Sequence, residues 1–462
     1  MEPMKRRVVV VGGGITGLAA AYFLADKKVD VLVLEASGRL GGNIRTEREG
    51  EFVLDCGPDS WVVMKPHASA LAKKLGLGEQ LMPTIEATRR VYVAHGGKLH
   101  PLPEGLVLGV PTRIRPIVDT ELFSAKGKAR MALEPLVKRR KSNGDESIYD
   151  FVSRRLGNEV ADRLAGPLLG GIYAGDAREL SIRATFPQFV QMEQQYGSLV
   201  RAMRATRKPL PAGQTSPSAF VSLRAGMHAF VDALVRALPD DAVRTSSEVK
   251  RIDRVASGYD VVLESGEMIA ASAVVLTAPG RAAGSCIETF APQLAEKLNA
   301  LQYCSTATTF LAFRRQDVKH ALDGVGFLVP RGIGLHALAA TWVSSKWESR
   351  APSEHVLMRV FFGGASDPQV LERDDAALAT LARAELAALM GPLPEPLFAR
   401  VFRFNGASPQ PTVGHVERMA VIRDLLDGHP NLYVAGNGYW GIGIPDCIKQ
   451  AEEVAERIAA GP

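Results

Sequence analysis

Runs and alternations of apolar residues divide the chain into readable elements from its start. Arg7-Val-Val-Val-Val11 is a short β-branched run with no polar interruption, the pattern of a strand buried on both faces. Gly12-Gly-Gly-Ile-Thr-Gly17 follows, then an alanine-rich run to Ala25, then a second such strand, Val31-Leu-Val-Leu-Glu35. Strand, glycine turn, helix and strand in this order predict a βαβ nucleotide-binding unit, with Gly12, Gly14 and Gly17 at GxGxxG spacing. Gly12 permits the tight turn, Gly14 lets the backbone approach a pyrophosphate, and Gly17 lets the helix pack on the strand. The helix N-terminus adds unpaired N–H groups and a positive dipole end. Glu35, about twenty residues on, is placed to accept the ribose hydroxyls of an adenosine, and its charge disfavours a 2′-phosphate.

The pattern continues with Phe52–Trp61 as a strand entering a Gly-Pro turn, a helix from Pro66 to Leu75 stopped at Gly76, and a hairpin over Arg89–Pro103 around His95-Gly96-Gly97. From about residue 105 to 206 the strand signal fades, which predicts a helical insertion. Within it Ser147 is a helix N-cap, Asp150 stands in the capping-box position and Gly157 ends the helix. Lys208–Pro217 is a Pro/Ser/Gly-rich linker. Beyond it, Leu223–Val235 starts a helix, and Val249–Ile252, Tyr259–Leu263 and Ala273–Pro279 read as a three-strand meander. Residues 290 to 405 alternate helix with strand, as a separate sheet domain would. Asn431–Asn437 is a final strand and glycine turn, and Gly441–Ile448 opens the last helix.

Composition narrows the class. The chain has 462 residues, 46% hydrophobic, with 44 glycines and a net charge of +5. This suits an α/β protein of about three domain-sized units, and the basic residues are not interleaved with aromatics as a nucleic-acid groove requires. A modest basic excess suits anionic lipid surfaces or carboxylate-bearing substrates. Cys56, Cys286, Cys304 and Cys447 are scattered without CxxC spacing, which argues against a disulfide framework or a metal site and for a cytoplasmic setting. Lys5-Arg6-Arg7 and the charge-free stretch after it imitate a secretory signal, but four glycines interrupt the stretch and a strand ending in Glu35 follows.

Just past Glu35, Arg39-Leu-Gly-Gly-Asn-Ile-Arg45 supplies a second glycine pair and two arginines, suited to a longer diphosphate cofactor. The combination resembles flavoprotein oxidases of the amine oxidase type, which bind FAD. Leu169-Gly-Gly-Ile-Tyr-Ala-Gly-Asp176, continued by Leu180-Ser-Ile-Arg-Ala-Thr-Phe-Pro187, is similar to the GxYAGD…LS…FP signature of protoporphyrinogen oxidases. Gly326-Phe-Leu-Val-Pro330, Phe361-Phe-Gly-Gly364 and Gly436–Cys447 also look like that family, and the resemblance runs from residue 6 to residue 458.

The resemblance implies an α/β fold: a Rossmann-like FAD-binding domain (1–87, 224–286, 408–462), a separate α+β substrate domain (88–104, 207–223, 287–407) and a helical, membrane-associating insertion (105–206). It implies an enzyme in which FAD takes hydride from a porphyrinogen and passes the electrons to O₂. It also implies that the flavin carries the chemistry while the protein supplies placement, which agrees with the absence of a nucleophile elbow, a metal set or a His/Asp relay. His95, His100, His228, His336 and His415 read as surface or structural residues rather than bases. For the flavin, the resemblance assigns Gly12, Gly14, Thr16, Gly17, Glu35, Arg39 and Gly42 at the phosphates and adenosine. It assigns Val249 at adenine, and Gly436, Ile442 and Gly443 at the C-terminal flavin contacts, with Cys447 not bonded to the flavin.

For the substrate, the resemblance points to Arg90 for a propionate, Leu328 and Trp347 against the macrocycle faces, and the Gly171 carbonyl toward pyrrole N–H groups. Each has a plainer alternative: an exposed hairpin charge with Arg89 beside it, core packing, and a turn glycine. In the insertion, Gly105–Val118 mixes apolar residues with arginine, and Lys126, Lys128, Arg130 and Lys138–Lys141 follow. That pattern fits peripheral binding to the inner face of the cell membrane or a solvated helix face, and cannot span. An amine oxidase and a non-redox lipid-escort protein are the rival functions. The oligomeric state stays open, a homodimer included. With Arg90 as the one propionate partner and an apolar slot around it, protoporphyrinogen IX is expected to be preferred over the four-propionate coproporphyrinogen III.

Overall fold

The computed structural model describes residues 7–107, 110–111, 113, 115–142, 144–206 and 217–461. The expected linker lies outside the described residues apart from Pro217, as do Lys5, Arg6 and several positions of the 105–118 stretch. In chain order the elements that position the site are β1 (Val8–Val11), α1 (Ile15–Asp26), β2 (Val31–Leu34), β3 (Phe52–Asp55), β4 (Val91–His95), β5 (Lys98–Pro101) and α2 (Ile148–Leu156). They continue with β6 (Val243–Arg244), β7 (Val249–Val255), β8 (Ala273–Leu276), β9 (Tyr303–Arg314), β10 (Gly326–Leu328), β11 (Ala339–Trp342) and β12 (His355–Gly363). Last come α3 (Asp375–Met390), β13 (Phe398–Pro409), β14 (Leu432–Val434) and α4 (Ile444–Ala460).

A parallel sheet in the order β6-β2-β1-β8-β14 forms the nucleotide-binding layer. All four residues of β1, β2 and β8 are buried, as expected of strands covered on both faces. The Leu18, Ala21 and Leu24 side of α1 packs with Ile448, Ala451 and Ala455 of α4, so the two ends of the chain share one core. The second sheet is mixed, in the order β13-β9-β12-β11-β10-β4-β5, and only β10 and β4 run parallel. Its Ala307, Phe327, Ala340, Val360 and Phe362 pack on Leu378, Ala382 and Leu386 of α3.

Two expectations are corrected. Ala273–Leu276 is not the third strand of the meander: Met268–Ala271 fills that place, and Ala273–Leu276 crosses into the parallel sheet beside β1. The uninterrupted burial of that run suits a central strand, whereas Met268–Ala271 is largely exposed. The helix expected from Leu223 begins at His228, because Phe220–Leu223 is a strand and Gly226 turns the chain at φ +100°. The insertion helix is capped as expected, with Ser147 Oγ accepting from the Asp150 N–H (3.0 Å) and donating to its carboxylate (2.8 Å). Beneath α2, the fully buried Arg155 is paired with the fully buried Glu134, whose carboxylate also accepts from Ser198 and the Leu199 N–H.

Candidate active site

The site begins where β1 ends. A Cβ at Gly17 would lie 1.9 Å from the Gly12 carbonyl oxygen, so helix and turn touch there and exclude any side chain. Gly14 is the opposite case: a Cβ would meet nothing within 4 Å. It precedes α1 at φ −72°, and no side chain caps the first amides of that helix. Uncapped N–H groups facing open space at a helix N-terminus suit phosphate oxygens.

The surrounding residues build a cradle on this turn. Glu35 Oε2 accepts the Gly13 N–H at 2.7 Å, while Oε1 accepts from the N–H and Oγ of Ser37. A carboxylate has about four acceptor sites, so Glu35 braces the turn through three of them and keeps one for a ribose hydroxyl. Arg39 Nη2 donates to the Gly42 carbonyl at 2.7 Å, the Gly41 N–H bonds Gly13 at 2.8 Å, and a Cβ on Gly42 would stand 3.2 Å from Gly14 Cα. The second glycine pair therefore stacks on the first. Val249 is buried at a bulge that opens β7, two residues beyond Ser247, whose N–H bonds the Glu35 carbonyl.

At the other end, Gly436 (φ +134°) donates to Gln450 Oε1 at 2.9 Å, and its Cβ position lies 3.5 Å from Thr16 Oγ1. Beside it, Asn437 Oδ1 is buried with no hydrogen-bond partner. Ile442 and Gly443 lead into α4, where the Gly443 N–H reaches Asp446 Oδ2 at 3.3 Å. An acceptor-rich adenosine end, an open phosphate turn and an orphaned polar atom beyond it together fit a long dinucleotide.

Over the cradle lies the second sheet. Phe402, Thr308, Phe361, Ala339, Leu328 and Val93 stand side by side in register across six strands, so they share one face. Thr308 Oγ1 donates to the Cys56 carbonyl at 3.0 Å, which turns this face toward the loop after β3. Leu328 and Phe361 are half-buried on it. Trp347 is 1% exposed on the same side of the sheet but farther along β9 and β12, packed among Phe52, Leu54, Met82 and Phe310, with its indole N–H on Asp59 at 3.0 Å. Arg90 is exposed near the β4–β10 pair and bonded to Asp323 at 3.0 Å, which also accepts from Tyr92.

The insertion closes the edge of this face. Ala161–Gly170 is wound as a π-helix around Pro167, a geometry often found at functional sites, and delivers Gly171–Tyr173. Gly171 is exposed with open space at its Cβ position. The Ala174 carbonyl accepts from Ala365, Gln410 donates to the Tyr173 carbonyl, and Arg331 pairs with Asp176 at 2.9 Å. Burial, with the charge of Asp446 adding to it, raises the Tyr173 hydroxyl above its ordinary value.

Residues 15–459 match the family described as flavin containing amine oxidoreductase. The chain is 35% identical to the coproporphyrinogen III oxidase of Bacillus subtilis (98% of this chain, 97% of that one) and 33% identical to that of Staphylococcus aureus (99% and 100%). The chain belongs to the porphyrinogen oxidase branch of this flavoprotein family. A solved structure described as a putative protoporphyrinogen oxidase from Exiguobacterium superposes with a TM-score of 0.88 at 33% identity, covering 99% of both chains.

FAD is accordingly the cofactor, and when bound it supplies the two-electron chemistry that no side chain can. Gly14 and the α1 amides would take its pyrophosphate, Glu35 its ribose, and the Gly436–Gly443 turn the flavin end. Burial pushes the Cys447 thiol up to about 11, so it stays protonated and a poor nucleophile at neutral pH. His415 reaches the Tyr439 carbonyl (3.2 Å) and His228 the Ile44 carbonyl (3.4 Å), both structural contacts. Three residues of the site escaped the sequence reading. Phe361 was visible only as part of a motif, Arg331 as the residue after Gly326–Pro330, and Arg359 as a lone cation inside the apolar run Val356–Phe362.

Proposed function

We propose that the protein oxidises a porphyrinogen to the porphyrin with O₂, and that coproporphyrinogen III is its preferred substrate. The observation that carries the reading is the shared face: Leu328, Ala339 and Phe361 form an apolar floor, edged by the Gly171–Asp176 segment, on the side of the sheet turned to the nucleotide cradle. A flat apolar macrocycle lies against such a floor with its carboxylate arms pointing to the rim. Six electrons leave the ring in three two-electron steps, and three O₂ become three H₂O₂. The floor excludes water and sets which ring carbon meets the flavin; Gly171 offers its carbonyl to the pyrrole N–H groups.

The preference for coproporphyrinogen III replaces the expectation of protoporphyrinogen IX. Both bacterial relatives compared above carry the name coproporphyrinogen III oxidase. The expectation also rested on Arg90 as the one named cation, whereas Arg331 is a second, 47% exposed and joined to the Gly175 carbonyl and Asp176 where the two motif segments meet. Arg331, beside the Gly171–Asp176 segment, offers a carboxylate partner that the expectation did not count, since its planar fork can take one. Oxygen uptake with both porphyrinogens tests this: kcat/KM should be at least tenfold higher for coproporphyrinogen III, and a higher value for protoporphyrinogen IX would refute the preference. Val118, Leu133 and Leu136 are exposed on the insertion near exposed Lys126 and Lys138, which supports peripheral contact with an anionic leaflet. No helix of the described residues is long and apolar enough to cross a membrane. Co-sedimentation with anionic but not neutral vesicles is expected, and equal recovery with both would remove the contact.

A further inference from the structure

Arg359 sits on β12, one residue pair from Phe361 on the same face, and is 4% exposed. Its Nη2 donates to the carbonyls of Cys56 (2.6 Å) and Gly57 (2.7 Å), and its Nε is buried without a partner. The guanidinium lies 4.4 Å from the centroid of the Phe361 ring. The negative charge that acts on it most is Asp59, yet the hydrogen bonds of that carboxylate come from Lys346 (2.7 Å), Ser60 (2.7 Å) and Trp347 (3.0 Å). Among the described residues Arg359 makes no direct ion pair. A buried cation held only by carbonyls and rings is costly, and such arrangements persist where the charge does something.

The loop it holds is the wall of the cradle. A Cβ on Gly57 would lie 1.9 Å from the Asn43 carbonyl oxygen, and Asn43 follows Gly42, which stacks on Gly14. The cation is thus placed between the substrate floor and the wall of the cofactor cradle, in a region of low dielectric where its field is weakly screened. We propose that Arg359 is an electrostatic positioning residue that stabilises the negative charge the flavin gains on reduction, with Asp59 setting how much of that field the site receives. The inference rests on the flavin and goes beyond the substrate assignment, so its test uses no porphyrinogen.

The experiment is a reductive titration of the purified flavoprotein, together with sulfite binding, which places an anion on the oxidised flavin. Arg359→Met should lower the two-electron reduction equilibrium about tenfold, a shift of about 30 mV to more negative potential, and weaken sulfite binding by a similar factor. Arg359→Lys should stay within threefold of the parent. Asp59→Asn should move both readouts the other way, and it decides the matter if Arg359→Met does not accumulate as folded flavoprotein. Thr308→Val removes the neighbouring donor to Cys56 without changing charge and should leave the potential where it was. Parent values in Asp59→Asn and Arg359→Met would overturn the proposal. So would a shift in Thr308→Val equal to that of Arg359→Met, since loop packing rather than charge would then be responsible.

Discussion

Gly14 and Gly17 stand three residues apart in one turn, and their substitution by alanine should fail in different ways. At Gly17 the added methyl meets the Gly12 carbonyl oxygen at 1.9 Å and Thr277 Oγ1 at 2.8 Å, so the turn must move. Overpacking of this kind costs roughly 1–3 kcal/mol of stability with or without cofactor. At Gly14 the methyl meets nothing, and φ −72° is an ordinary conformation for alanine. The unfolded chain loses entropy, a gain of about 0.4–1 kcal/mol, and an alanine N-cap loses about as much relative to glycine, so the stability of the apoprotein should hardly change. What changes is the space for the pyrophosphate. A hundredfold loss of FAD affinity, about 2.7 kcal/mol, is the expected result. At a cofactor concentration where the parent gains about 2.7 kcal/mol from binding, Gly14→Ala would gain only about 0.4 kcal/mol. Thermal unfolding with and without added FAD reads both effects. The apoprotein midpoint of Gly14→Ala should match the parent and its FAD-dependent rise should shrink to a small fraction of the parent's, while Gly17→Ala should unfold earlier in both conditions. A Gly14→Ala protein that purifies with full flavin would show that the open space is not the phosphate site.

Further expectations follow from single contacts. Glu35→Ala removes the acceptor of Gly13 and Ser37 as well as the proposed ribose ligand, and should weaken FAD binding by about 1.5–3 kcal/mol in a fluorescence titration. Arg350→Met breaks the buried pair with Asp55 (2.8 Å, 0% and 3% exposed) that ties the β12 side of the molecule to β3, and should cost about 3–5 kcal/mol in denaturant unfolding. Asp59 is held below its ordinary value: burial alone would raise it, but the charges of Lys346 and Arg359 and two hydrogen bonds outweigh burial. Folding therefore releases protons in that range, so this contribution is complete above the unfolded value near 4 and fades as pH falls below it; Asp59→Asn should flatten the acid limb of the stability profile. Arg331→Ala should raise KM for coproporphyrinogen III more than it lowers kcat, because a rim carboxylate is held alike in ground and transition states.

Local patterns reported the parts of the fold that local physics decides. The GxGxxG turn, the His95–Lys98 hairpin closed by two glycines at positive φ, and the Ser147 cap each depend on a few adjacent residues, and all three lie where the sequence puts them. Ala273–Leu276 was misplaced because a buried run carries no information about its partner strand, and the choice between a meander and the parallel sheet is made by contacts with β1 and β14. The site was legible at the glycines, whose spacing is itself the chemistry. It was less so on the second sheet, where Phe361 joins Leu328 only because β11 separates them by one residue in register. Buried charge was the least visible. Arg155, Arg350 and Arg359 read as polar surface in any hydropathy pattern, yet each is held inside the protein by carboxylates or carbonyls from distant segments.

Anaerobic mixing of the purified flavoprotein with a porphyrinogen, followed at the flavin absorbance, addresses the central claim most directly. The account predicts that coproporphyrinogen III bleaches the flavin within the turnover time while porphyrin fluorescence rises, and that admitted O₂ restores the flavin with release of H₂O₂. Putrescine or another small amine should leave the spectrum unchanged, because the floor of Leu328, Ala339 and Phe361 is built for a broad apolar ring. Bleaching by the amine, with none by either porphyrinogen, would contradict the account.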